Sequence, residues 1–154
     1  MAILEILDES VVKTPMEAVD KDEAIAELIE VLVNAGRIID REAAIEAIQR
    51  REAQGTTGIG GGVGIPHAKH ETVDALCMAI GISPEGVEFD ALDDELVHLV
   101  FLVMAQGNNP GPHVQLLAEL AELLEVPDFK DNLLAAGSPQ EVIAIVRAAE
   151  ESEE

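Results

Sequence analysis

The sequence predicts an α/β fold: a single-domain sandwich in which a mixed β-sheet of about five strands is flanked by helices on both faces. Three observations carry this. The chain has 154 residues, the size of one domain, and 48% of them are hydrophobic, enough for a core. Segments with helical periodicity alternate with short apolar runs. Residues 97–105, Val-His-Leu-Val-Phe-Leu-Val-Met-Ala, are almost continuously apolar, the pattern of a strand covered on both faces rather than one.

The elements follow in order. Residues 3–7 form a short apolar run and read as an edge strand. Residues 22–35 read as a helix: Ile25, Leu28, Ile29 and Leu32 share one face, and Asn34-Ala35-Gly36 ends it. Asp40 is a good N-cap for a second helix over 41–53, with Ala44, Ile45 and Ile48 inward. Residues 54–64 hold six glycines and two threonines and read as a loop. Residues 76–82 are a strand candidate. A turn rich in Gly, Asn and Pro follows the 97–105 strand at 106–112. A helix then covers 113–125, with Leu116, Leu117, Leu120 and Leu124 on one side. Pro127 opens a short helix reaching about 136. Ser138-Pro139-Gln140-Glu141 starts the last one, with Ser138 as cap, proline at the first position and glutamate at the third. Residues 1–149 make one domain, and the acidic residues 150–154 read as a disordered, solvated tail.

Charge removes several function classes. Nine Lys and Arg face 31 Asp and Glu, a net charge of −22. Nucleic-acid binding and docking on anionic lipid both need clustered cations, so neither is expected. Aromatics are 2%, without Trp or Tyr, too few for a stacking platform. One cysteine, Cys77, excludes an intrachain disulfide framework. No apolar run approaches the roughly 20 residues of a membrane span, and Met1-Ala2-Ile3-Leu4-Glu5 lacks the basic start of a signal peptide. A cytoplasmic domain without membrane insertion is the expectation. The acidity itself reads either as salt adaptation or as an acidic docking face for a basic partner.

The chemistry is concentrated in Arg50-Arg51-Glu52-Ala53-Gln54-Gly55-Thr56-Thr57-Gly58-Ile59-Gly60-Gly61-Gly62-Val63-Gly64-Ile65-Pro66-His67-Ala68. Glycines let backbone N–H groups converge and a ligand approach closely. Arg51 can supply a planar fork suited to phosphate oxygens, and Arg50 could take either role. Pro66 stiffens the backbone that presents His67. A neutral imidazole is a competent nucleophile near pH 7. Nucleotide motifs fail on spacing: Val63 stands where a dinucleotide fingerprint needs its third glycine, and no Gly-Lys-Ser/Thr follows. On the glycines alone, an ordinary flexible loop explains the segment.

Thr57-Gly58-Ile59-Gly60 through Gly64-Ile65-Pro66-His67-Ala68 resembles the active-site signature of the fructose/mannitol-type (type 2) enzyme IIA domains. These belong to the bacterial phosphoenolpyruvate-dependent sugar phosphotransferase system, and the fold includes the nitrogen-regulatory enzyme IIA proteins. His113-Val114-Gln115-Leu116-Leu117-Ala118-Glu119-Leu120 resembles the family's second histidine and its Leu-rich helix. The resemblance implies a phosphoryl carrier. His67 would accept the group from the carrier protein HPr and pass it to an enzyme IIB, His113 would support the phosphorylated ring, and Arg51 would stabilise the phosphoryl charge. Thr57, Gly58, Gly60 and Gly62 would line the phosphoryl pocket. No cofactor and no metal are implied. Regulatory protein partners, without sugar transport, are the alternative. Two departures stand out: Gly64 where the family usually has Ala, and Val114 in place of the commoner Leu.

Other residues take plainer readings. His113 follows Pro112 and could simply start a helix. His70 lies three residues from His67 and invites a metal reading, but no accompanying ligand pattern supports zinc. His98 reads as a satisfied core or edge histidine, and Cys77 as buried and inert.

Overall fold

The centre of the molecule is a pair of long strands. The computed structural model, which describes residues 2–109 and 111–153, pairs β5 (Cys77–Val87) with β6 (Val97–Gln106) antiparallel. Cys77 lies opposite Met104 and Ile82 opposite Leu99. Residues 77–83 and 99–105 are buried without alternation, so helices cover both faces. β1 (Val12–Lys13) adds in parallel to β5. β3 (Val63–Gly64) adds in parallel to β6, and β2 (Gly58–Gly60) closes that side antiparallel to β3.

The fourth strand positions the site. β4 (His67–His70) also pairs in parallel with β6, His67 opposite Val103. β3 pairs Val63 with Leu99. The offset to β6 is the same for both, so β3 and β4 are two halves of one strand, interrupted at Ile65-Pro66. Pro66 has no N–H to give. Its carbonyl still accepts from the Val103 N–H at 2.9 Å, while the Ile65 N–H leaves the ladder for the Thr57 carbonyl at 3.0 Å.

The helices Lys21–Asn34, Arg41–Glu52 and Pro139–Glu153 start where side-chain acceptors meet orphan N–H groups. α2 (Lys21–Asn34) begins at Asp20, whose carboxylate accepts from the Glu23 N–H at 2.9 Å. It buries Ile25, Leu28, Ile29 and Leu32. α3 (Arg41–Glu52) begins at Asp40, which accepts from the Ala43 N–H. α4 (Gly111–Leu124) and α5 (Phe129–Ala135) lead to α6 (Pro139–Glu153). There Ser138 Oγ accepts from the Glu141 N–H, and the Glu141 carboxylate accepts from the Gly137 N–H. No helix among the described residues is long and apolar enough to cross a membrane.

Three expectations change. Residues 3–7 are not an edge strand: α1 (Ala2–Glu5) is one helical turn, its Ile3 N–H donating to the Glu119 carboxylate of α4. A five-residue run with four apolar side chains fits either period, and docking on α4 decides. The edge is β1 instead. The 54–64 loop contains the β2–β3 hairpin, turned by Gly60, Gly61 and Gly62 at φ of 96°, 66° and 80°, a backbone region open to glycine. The hairpin and the interrupted strand raise the strand count to six. Finally, α6 runs through Glu153 with Glu150 only 2% exposed, so residues 150–153 are helix rather than a solvated tail. Glu154 lies outside the described residues, as does Pro110 within the turn expected at 106–112.

Candidate active site

α3 ends and β4 begins at the same hollow. The last turn of α3 brings Arg50 and Arg51, β4 brings His67, Ala68 and Lys69, and the first turns of α4 bring His113, Val114 and Leu117. The space is about 460 Å3. Its lining includes three of the nine basic residues and no Asp or Glu. In a chain of net charge −22, such a lining is electrostatically suited to an anion.

His67 is half-buried, and its Nδ1 lies 2.7 Å from the Ile65 carbonyl. A carbonyl only accepts, so Nδ1 carries the proton and Nε2 keeps the lone pair. The Ile65 carbonyl points away from β6, whose ladder takes the Pro66 carbonyl instead, and so is available to this bond. His113 is 6% exposed and meets His67 edge to face, ring centroids 5.4 Å apart. Burial, then the nearby His67 and Lys69, push the His113 pKa down from 6.5 to about 4. His113 is therefore neutral at pH 7. Its Nε2 is buried and has no hydrogen-bond partner among the described residues, an arrangement that costs about 1–3 kcal/mol when it persists.

The two arginines differ. Arg51 Nη1 donates to the Gly55 carbonyl at 2.9 Å, which fixes the stem and leaves further N–H groups for an anion. Arg50 is tied to Glu46 one turn back. Thus His67, His113 and Arg51 come together as the sequence indicates.

Thr57, Gly58, Gly60 and Gly62 do not join them. Thr57 is 4% exposed, and its N–H and hydroxyl both donate to the Glu52 carboxylate, at 2.9 and 2.8 Å. Gly58 packs on Ala91 and Phe89, Gly60 faces Asp93, and Gly62 faces His98. The Gly61 N–H already donates to Asp93 at 3.0 Å. Glycine here turns a hairpin against the 89–98 segment and does not cradle the hollow. Lys69 escaped the sequence reading, although it lies two residues from His67 and so on the same face of β4. Glu52 escaped it too.

The remaining histidines are occupied elsewhere. His70 Nδ1 accepts from the Thr72 N–H and lies 2.8 Å from its hydroxyl. His98 Nδ1 lies 2.8 Å from the Ser83 carbonyl. Burial pushes the Cys77 thiol up to about 11. Among the described residues no group of three His, Cys, Asp or Glu is placed to hold a metal ion.

Known proteins are similar to this chain in sequence and fold. The fructose-specific EIIA component of the phosphotransferase system of Haloferax volcanii is 39% identical over 136 residues, 84% of this chain and 88% of that protein. The fructose-specific EIIABC component of Bacillus subtilis is 38% identical over 146 residues; the match takes in 95% of this chain but spans only 23% of that protein. The crystal structure of the nitrogen regulatory protein IIA-Ntr from Neisseria meningitidis superposes with a TM-score of 0.87 at 32% identity, covering 95% of this chain and 99% of that one. The family model for the EIIA 2 domain matches residues 5–149. The chain belongs to the EIIA type 2 family of the phosphoenolpyruvate-dependent sugar phosphotransferase system.

Proposed function

We propose that this chain is a phosphoryl carrier whose acceptor atom is His67 Nε2. The observation that supports it most is the edge-to-face His67–His113 pair in a hollow lined by three cations and no acid. Phosphorylated HPr is the donor and an enzyme IIB the recipient, for uptake of a sugar of the fructose or mannitol class.

The Nε2 lone pair forms a bond to phosphorus as the bond from phosphorus to the donor atom breaks. That bond's electron pair returns to the donor. The proton stays on Nδ1, which goes on donating to the Ile65 carbonyl, so the phosphorylated ring carries a positive charge beside the phosphoryl oxygens. Arg51 and Lys69 supply further charge compensation, which phosphoryl transfer needs more than covalent machinery. The unsatisfied Nε2 of His113 is the group a phosphoryl oxygen on His67 would engage. Transfer onward reverses these steps.

The test uses phosphoenolpyruvate, enzyme I and HPr. The chain should gain one acid-labile phosphoryl group, and His67→Ala none. Equal labelling of that variant ends the assignment. His113→Ala should still accept, more slowly.

A regulatory role is the second reading, favoured by the 32% identity and 0.87 TM-score with IIA-Ntr. In that case phosphorylation of the same histidine governs binding of another protein. Affinity capture with each phosphorylation state separates the two: partners that change with the phosphoryl group, with no transfer to a IIB, indicate regulation.

A further inference from the structure

We infer that Glu52 is a positioning residue for His67, acting through Thr57 and Ile65. The inference rests on the phosphoryl-carrier reading and adds a residue to it.

The path consists of four consecutive contacts. Lys21 Nζ lies 3.6 Å from the Glu52 carboxylate. The side chains are 18% and 5% exposed, which makes this the most sheltered ion pair among the described residues. The same carboxylate accepts twice from Thr57, from the N–H at 2.9 Å and from the hydroxyl at 2.8 Å. The Thr57 carbonyl then accepts from the Ile65 N–H at 3.0 Å. The Ile65 carbonyl, in turn, accepts a hydrogen bond from His67 Nδ1–H, N to O 2.7 Å.

The geometry requires such a brace. Ile65 lies in the gap between β3 and β4, where the ladder to β6 holds neither of its polar groups. The Thr57 carbonyl is the backbone partner of the Ile65 N–H and restrains that residue from its N-terminal side. Thr57 itself follows a chain reversal at 53–56 that contains Gly55, φ 156°, and belongs to no helix. The bonds to Glu52 pin it to the last residue of α3. Arg51, one residue earlier, is fixed to the same reversal through Gly55. Glu52 therefore holds the guanidinium and the imidazole in one frame. Without it the Ile65 backbone loses one of its restraints, and the bond that selects the Nδ1–H tautomer is weakened.

A carboxylate that only stabilised the fold would leave the tautomer alone. The experiment therefore reads the His67 ring nitrogens by 15N NMR in the unphosphorylated chain, alongside the rate of phosphoryl acceptance from phosphorylated HPr. Wild type should show Nδ1–H as the dominant form. Glu52→Ala should shift His67 toward a mixture of tautomers and slow acceptance about 10- to 100-fold, the usual range for lost supporting hydrogen bonds. The final yield should stay at one group per chain. Glu52→Gln keeps an acceptor for the Thr57 N–H and should lie closer to wild type. Thr57→Val keeps the backbone bonds and loses only the hydroxyl, so it serves if Glu52→Ala does not fold, with a smaller shift in the same direction.

Unchanged ring shifts and rate in Glu52→Ala overturn the inference. A slower rate with unchanged ring shifts also overturns it, because the loss is then structural. If wild type accepts no phosphoryl group, the carrier reading fails, while the ring shifts still decide whether Glu52 sets the tautomer.

Discussion

The His113 imidazole takes its proton at different acidities in the two states of the chain: near pH 6.5 when unfolded and near pH 4 when folded. A base whose folded pKa is depressed supports the fold fully above the unfolded value and loses that support as pH falls toward the folded one. The window is therefore pH 6.5 down to about 4, and the loss across it is on the order of 3 kcal/mol. Urea unfolding at pH 7 and pH 4.5 should show this component in wild type and lack it in His113→Asn. A second comparison separates the arginines. Arg51→Ala should slow phosphoryl acceptance about 10- to 100-fold, since it removes a donor from developing charge. Arg50→Ala should change it less than about threefold, because Glu46 already holds that guanidinium. Of these residues, His67, His113 and Arg51 were visible in the sequence as motif positions. Glu52 was not, because its role depends on where the chain reverses, and nothing in the spacing Glu52–Thr57–Ile65 announces a hydrogen-bonded path.

Among the elements, the β2–β3 hairpin is the part most sensitive to a single methyl group. A Cβ at Gly58 would lie 2.8 Å from the Ala91 backbone Cα and 2.9 Å from its Cβ. Neither atom can swing aside as a long side chain would. Gly58→Ala should destabilise the protein by about 1–3 kcal/mol, read as a lower midpoint in thermal unfolding. Gly64→Ala meets the ring of Phe89 instead, at 3.1 to 3.3 Å, and should cost less if the ring shifts by a few tenths of an ångström. The helices that begin at Asp40 and Ser138 were legible because their signals are local: both residues accept from the N–H three residues on. The glycine segment was not. Composition argued for a loop, and only contact with Ala91, Asp93 and His98 makes it a hairpin. Nor was the break at Ile65-Pro66 legible as one strand in two pieces, since constant register with β6 is a property of two distant segments.

For the whole molecule the governing quantity is the net charge of −22. Most of the ion pairs among the described residues are exposed, such as Arg41 with Glu30 at 46% and 45%, and exposed pairs contribute little. Self-repulsion is therefore poorly offset locally and must be screened by solvent ions. The screening length falls from about 30 Å at 0.01 M salt to about 3 Å at 1 M. The thermal midpoint should rise steadily with sodium chloride over that range. A flat or falling curve would assign the acidity to partner docking instead. The strand β6 and the two-face burial it implies were readable from residues 97–105 alone, which is why the layered architecture was predictable while the position of its edge was not.

The interrupted strand also governs how turnover can be paced. His67 follows directly on a proline, is bonded to its own backbone two residues back, and lies in register with a neighbour strand buried on both sides. Such an imidazole has no arc to travel through. In the carrier proposed above, a donor and a recipient would each be brought to this ring, so encounter by diffusion is expected to set the pace at low partner concentration. Thickening the solvent with glycerol should accordingly slow the bimolecular step in proportion to viscosity.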